Sequence, residues 1–263
     1  LASEKNRLHK VLTDSGIRLG VVVSDLHGQS ARAMVKAIIA GHAPQQVIKL
    51  ASRRLKASRE EILDALQGEL SASHRFVLDE LMRHIEEIEA RISRFDARLL
   101  EGLESERDTL ALMQTIPGID QIGAAMLLVE IGADMDDFGS ADRLASWVGV
   151  CPGNNESAGK RKSGHTRKGN PYVRRLLCEF AHAASRTTSM FKSKFQALVV
   201  RRGYKRAIIA IGHKMLRTLF FMLKRREHYR DCATDYEALS VQRNAPRWIK
   251  ALTRFGFITP ASA

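Results

Sequence analysis

At 263 residues and 44% hydrophobic content the chain can bury one large core or two modest ones, which argues against a disordered or low-complexity protein. Only six prolines and 6% aromatic residues, beside abundant Leu, Ala, Ile, Arg and Lys, predict a mainly α, indeed all-α, fold. The formal charge of +13 points to polyanionic partners, and it belongs to one region: residues 160–230 hold 20 Lys or Arg against only Glu179 and Glu227, whereas the remainder is slightly acidic.

Cys151, Cys178 and Cys232 are too few and too scattered for a disulfide framework or a zinc site, and a reducing cytoplasmic setting is expected. Charge interrupts every apolar run well before the roughly 18 residues of a membrane span, so no membrane partner is predicted. The chain starts inside a charged helical pattern, which is read as the continuation of something longer.

In chain order, residues 2–12 read as a charged helix and 17–23 as a short apolar run. Helices follow at 29–40, after Ala43-Pro44, and at 56–66, and together 1–70 are taken as linker helices. From Leu78 the apolar positions Leu81, Ile85, Ile88, Ile92, Phe95 and Leu99 alternate steps of three and four, the spacing of a coiled-coil seam. An amphipathic helix packed on its own domain would show the same pattern. Either way 71–112 should hold a rod of about 35 residues, about 50 Å long, able to pair with a second copy. A C-terminal domain is assigned to 113–226, with a loosely packed tail at 227–263.

Three segments of that domain carry chemistry. Residues 116–125, Ile-Pro-Gly-Ile-Asp-Gln-Ile-Gly-Ala-Ala, fit a helix-hairpin-helix whose second helix starts near Gln121. Unpaired N–H groups there would grip a phosphate without reading sequence, with Gly118 and Gly123 allowing the close approach; an ordinary helical hairpin whose glycines serve packing is the alternative. Next, 154–170 is a polar, Gly-rich, basic loop. Ser157, flanked by small residues, has the exposure a nucleophile needs, and Lys160, Arg161, Lys162, His165, Arg167 and Lys168 could neutralise a phosphate; a solvated phosphate-contacting loop without a nucleophile has the same composition. Finally, helices at 171–186, 191–201 and 205–224 carry Arg174, Arg175, Arg201, Arg202, Lys205, Arg206, Lys214 and Arg217, and the last should bury Ala207 to Ile211 with Met215, Leu216, Leu219, Phe220 and Leu223. Asp134, Asp136 and Asp137 are read as a solvated loop, with Asp134 or Asp137 capping a helix, rather than as a metal site.

The order Thr115-Ile-Pro-Gly-Ile119, Leu128-Val-Glu-Ile-Gly132, Phe138-Gly-Ser-Ala-Asp-Arg-Leu-Ala145, Val148-Gly-Val-Cys-Pro152, Glu156-Ser-Ala-Gly-Lys160, Thr166-Arg-Lys-Gly-Asn170 and Arg174-Arg-Leu-Leu177 resembles the C-terminal domain of the insertion-sequence one-ten family, the DEDD transposases or bridge-RNA-guided recombinases. The upstream rod resembles that family's linker and coiled coil. The resemblance implies DNA transposition and recombination, with DNA and a guide RNA as partners. It matches Ser157 to the family's nucleophile, with Ser163 as runner-up, although Ala158 stands where the family usually has Gly. It also implies an N-terminal RuvC-like domain holding Mg²⁺ on four acidic residues. That domain has no counterpart here, so no cofactor is expected in this chain, and by itself the chain is expected not to cut DNA. The competing reading is a non-catalytic nucleic-acid-binding remnant that oligomerises through its rod.

Overall fold

A computed structural model describes residues 1–258 except 54, 154, 158–159, 164 and 233; for 155–157 and 160–163 it describes the backbone alone. Among the described residues the regular structure is helical except for one two-stranded antiparallel hairpin, and the chain divides into two compact units, Leu1–Ala97 and Arg98–Ala263. None of its helices is long and apolar enough to cross a membrane, among the described residues.

The first unit holds α1 (Ala2–Asp14), α2 (Leu19–Val22), α3 (Gln29–Ile39), α4 (Pro44–Val47), α5 (Arg59–Ala65) and most of α6 (Ala72–Gly102). Local signals fix the short helices. Ser58 and Glu61 close a reciprocal capping box on α5, each side chain bonding the other's backbone N–H, and Pro44 occupies the start of α4, where its missing N–H costs nothing. Leu8, Leu12, Met34, Val35, Ile38, Ile62, Leu78, Met82 and Ile85 form the core. Arg75 reaches from α6 to the last carbonyls of α3, Ile38 at 2.8 Å and Ile39 at 3.2 Å.

The rod is 31 residues, or about 46 Å at 1.5 Å per residue. Its apolar stripe divides by use. Leu78 and Ile85 are buried in the first unit, as in any amphipathic helix, whereas Ile92 and Phe95 remain 42% and 71% exposed.

One ion-pair cluster sits on this unit. Arg32 grips Glu89 with both terminal nitrogens, at 2.8 and 2.9 Å, and Lys5 adds a contact at 3.0 Å. The Arg32 hydrogen bond, chiefly, holds the Glu89 carboxyl down to about 2 from its usual 4.5. Because the folded value is the lower one, the stabilisation is complete above about pH 4.5 and disappears as pH falls towards 2. Allowing for solvent screening, it amounts to about 1–2 kcal/mol. Glu89→Gln should lower the melting temperature at pH 7 and flatten its acid limb between those values; an acid limb unchanged in the variant would show that Glu89 is not the titrating group.

The second unit contains the end of α6, then α7 (Arg107–Gln114), α8 (Gln121–Ile131), α9 (Ala141–Val148), β1 (Asn155–Ser157), β2 (Lys160–Ser163), α10 (Pro171–Ala184), α11 (Met190–Arg202), α12 (Tyr204–Arg225) and α13 (Tyr236–Arg254). Its core is built round α12, which buries the expected stripe from Ala207 and Ile208 to Phe220 and Leu223 and packs on α9, α10 and α11. Gly212 lets α12 approach the Leu177 carbonyl of α10, which an added Cβ would meet at 3.2 Å.

Three expectations are corrected here. The segment read as a plain loop contains the β1–β2 hairpin. The segment read as a loose tail contains α13, 19 residues long, which packs on α11. Its apolar residues Val241, Trp248 and Leu252 follow steps of seven and four, the spacing of one helix face, and stay exposed. Lastly, α9 is capped by Ser140, whose hydroxyl accepts from Arg143 N, and not by Asp134 or Asp137; Asp134 instead accepts from Asp136 N within the loop.

Candidate nucleic-acid interface

The hairpin is rooted between the end of α9 and the start of α10. α9 stops because Gly149 adopts a left-handed conformation, φ 75°, and the N–H groups of Gly149 and Val150 return to Ala145 O. The chain then runs through Pro152, which pairs with Thr166, and Gly153, whose N–H donates to His165 O at 2.8 Å. Beyond that root Asn155, Glu156 and Ser157 pair with Ser163, Arg161 and Lys160, with an irregularity between Asn155 and Glu156.

The returning strand is locked down by three residues. Gly169 lies so close to the Val148–Gly149 backbone that an added Cβ would stand 2.4 Å from Val148 O. Asn170 caps α10, its Oδ1 accepting from Tyr172 N and Val173 N, while its Nδ2 donates to Glu130 at 2.7 Å. Arg174, on the first turn of α10, donates from Nη2 to Gly149 O at 2.9 Å and to Arg167 O at 2.6 Å. The Asn170-Pro171 pair, an N-cap followed by a proline at N1, explains why this helix starts at 171, as the sequence predicts.

The expected site residues therefore fall into distinct groups. Ser157, Lys160, Arg161 and Lys162 are on the two strands, and Ser163 ends the second; their side chains lie outside the described residues, as does Ala158. His165, Arg167 and Lys168 are exposed on the returning segment, and Arg175 is exposed on α10. Arg167, Lys168 and Arg175 have no carboxylate within 4 Å among the described residues. Arg174 points inward, as a clamp. Of the downstream cations, Arg217 pairs with Asp142 and Lys224 with Asp136, while Arg201, Arg202, Lys205 and Arg206 are exposed.

The helical hairpin of α7 and α8 has its second helix beginning at Gln121, as the sequence predicts. Its glycines have internal roles. An added Cβ on Gly118 would stand 2.7 Å from both Ala184 N and Phe180 O of α10, and one on Gly123 would stand 2.5 Å from the Phe180 ring. The Asp120 carboxylate accepts from Gly123 N at 2.8 Å, so an anion of the chain itself already satisfies the start of α8. A groove of about 480 Å³ beside it is lined by Ile122, Met126 and Leu176 together with Asp120 and Glu179, carboxylates that oppose a phosphate.

Burial, first of all, raises the Cys151 and Cys178 thiols, which makes both poor nucleophiles. No cluster of three or more His, Cys, Asp or Glu with metal-binding geometry occurs among the described residues. Asp134 accepts from Asp136 N in the loop turn, and Asp136 pairs with Lys224.

Residues 110–196, which span α7 to α11 and the hairpin, match the family model described as Transposase IS116/IS110/IS902 family. The chain is 26% identical over 190 residues to a probable family 20 transposase of Pseudomonas aeruginosa, an alignment covering 69% of this chain and 56% of that protein. It is 28% identical over 136 residues to the transposase for insertion sequence element IS1111A of Coxiella burnetii, covering 50% of this chain and 37% of that protein. The chain thus spans from about a third to just over half the length of these relatives. On these matches residues 110–196, which include the helices that root the hairpin, are similar to the IS116/IS110/IS902 family of transposases.

Proposed function

We propose that the chain is the polynucleotide-holding part of an insertion-sequence transposase, and that its β-hairpin presents Ser157 to a backbone phosphate. One observation carries this reading: a serine paired in register with Lys160 on a hairpin whose returning segment carries Arg167 and Lys168, both exposed and without a carboxylate within 4 Å among the described residues. In the proposed step the Ser157 oxygen attacks phosphorus. The serine O–P bond forms as one phosphate ester bond breaks, the serine gives up its proton and the departing sugar oxygen acquires one. The cations would stabilise the charge that builds on the phosphoryl oxygens.

DNA is the proposed substrate, and a guide RNA the proposed second polynucleotide. Pairing of α6 with a second copy is supported by the exposed stretch at Ile92 and Phe95, the part of the seam that the first unit leaves uncovered.

Binding should be steeply salt-dependent. If six or more phosphates are neutralised, affinity for duplex DNA should fall by roughly a thousandfold between about 50 and 200 mM salt, measured by fluorescence anisotropy. For the chemistry, Ser157→Ala, in a protein joining this chain to the remaining length of such relatives, should abolish the covalent protein–DNA adduct seen on a denaturing gel. An adduct formed undiminished by the variant would remove Ser157 from the mechanism, and with no adduct from either protein the non-catalytic binding reading would stand.

A further inference from the structure

Away from the hairpin, two lysines meet on one aromatic ring. Lys194 of α11 places its Nζ 4.7 Å from the centroid of Tyr236, the first residue of α13, and Lys214 of α12 places its own 5.2 Å from the same centroid. Lys214 Nζ also donates to the Tyr236 hydroxyl at 3.2 Å. Both lysines are half-buried, and neither has a carboxylate within 4 Å among the described residues.

Of the three acids nearest in sequence, Glu237 is exposed and forms no ion pair with either lysine among the described residues, and the other two have other duties. Asp235 caps α13, accepting from Glu237 N, Ala238 N and the Ser193 hydroxyl, and Asp231 accepts from Met190 N and the Tyr229 hydroxyl. Two ammonium groups therefore bear on one ring that gives each only a weak attraction, near enough that the charge of Lys214 acts on Lys194. Ordinary surface lysines relieve such repulsion by swinging apart into water. These two are kept together by three helices.

We infer that Lys194 and Lys214, gathered on Tyr236, form a second phosphate-binding site, one that takes a backbone phosphodiester of the bound polynucleotide. The inference rests on the polynucleotide-binding reading above and deepens it, adding a contact on α11–α13 outside the hairpin. A phosphodiester supplies what the pair lacks, one negative charge on two oxygens, able to accept a charge-assisted hydrogen bond from each ammonium. Lysine acts there as a point charge and reads no base, as a register-setting backbone contact requires. Burial and the Lys214 charge both lower the Lys194 pKa, as expected of a cation that has no counter-ion of its own, with the Tyr236 hydroxyl and the Cys232 thiol as the other titratable groups facing it.

The test uses the whole 263-residue chain and two labelled probes of about 20 nucleotides, a DNA duplex and a single-stranded RNA, titrated by anisotropy over about 50–200 mM salt. Lys194→Gln with Lys214→Gln should reduce the slope of log affinity against log salt by about 1.8 on the duplex, or about 1.4 on single-stranded RNA, and the probe that shows its full change identifies the strand held. Tyr236→Leu leaves the net charge unchanged and should still weaken binding several-fold, because it frees the lysines to separate. Wild-type binding with an unaltered slope in the double lysine variant would overturn this site and leave the hairpin reading intact. A Tyr236→Leu protein that melts normally and binds as wild type would show a diffuse positive field in place of a built pair, and would also overturn it. Where Tyr236→Leu no longer melts cooperatively, the double lysine variant decides alone. If the wild-type chain binds neither probe at low salt, the polynucleotide reading falls as a whole, and this site with it.

Discussion

Gly118→Ala should destabilise the second unit by about 2–5 kcal/mol, seen as a large fall in its calorimetric melting temperature. Two costs combine. Gly118 sits at φ 92°, where a side chain costs about 1–2 kcal/mol, and its Cβ would press at 2.7 Å on two backbone atoms of α10, which cannot swing aside as a side chain would. Gly102→Ala is the contrasting change: nothing lies within 4 Å of the new carbon, and the variant should melt at or slightly above the wild-type temperature. A Gly118→Ala protein with wild-type melting and impaired DNA binding would restore the phosphate-gripping role to this hairpin and count against the packing role argued here.

Arg174→Met should lower stability by about 2–3 kcal/mol, because two carbonyls at the hairpin root lose a charged donor. Polynucleotide affinity should fall with it, by about tenfold, through loosening of the segment that carries Arg167 and Lys168. Amide exchange should therefore quicken at 149–153 and 165–170. Arg175→Met removes the same charge one position along, from an exposed side chain, and should weaken binding with the melting temperature unchanged. If both variants melt like wild type and lose affinity equally, Arg174 contacts the phosphate directly and the clamp is wrong.

These two residues show where sequence reading reaches and where it stops. Most helices of the first unit, though not α2 within the apolar run at 17–23, the start of α8 at Gln121 and the buried stripe of α12 were legible because caps and apolar spacing are local properties of the chain. The inward turn of Arg174 was not, since an arginine in a run of cations looks the same whether it faces water or a carbonyl 25 residues away. Gly118 and Gly123 fitted a phosphate grip equally well until Phe180 and Ala184 of α10 were seen against them. The lysine pair was invisible for a related reason: Lys194, Lys214 and Tyr236 are about 20 residues apart in succession and meet only through the packing of three helices. For α13 the signal was present, in the seven- and four-residue steps of Val241, Trp248 and Leu252, but sparse, and it was passed over.

The joined root of the hairpin has a bearing on how such proteins diverge. Since Pro152 is paired with Thr166 and Gly153 with His165, the chain leaves the helical body and re-enters it at adjoining points. Whatever lies beyond that gateway is decoupled in length from the scaffold: doubling it adds only about 0.6 kcal/mol of closure entropy. Insertions and deletions between the two gateposts are thus cheap, whereas the same changes between Ala141 and Pro152, or between Thr166 and Arg174, would shift a cap, a close glycine contact or the arginine clamp out of register.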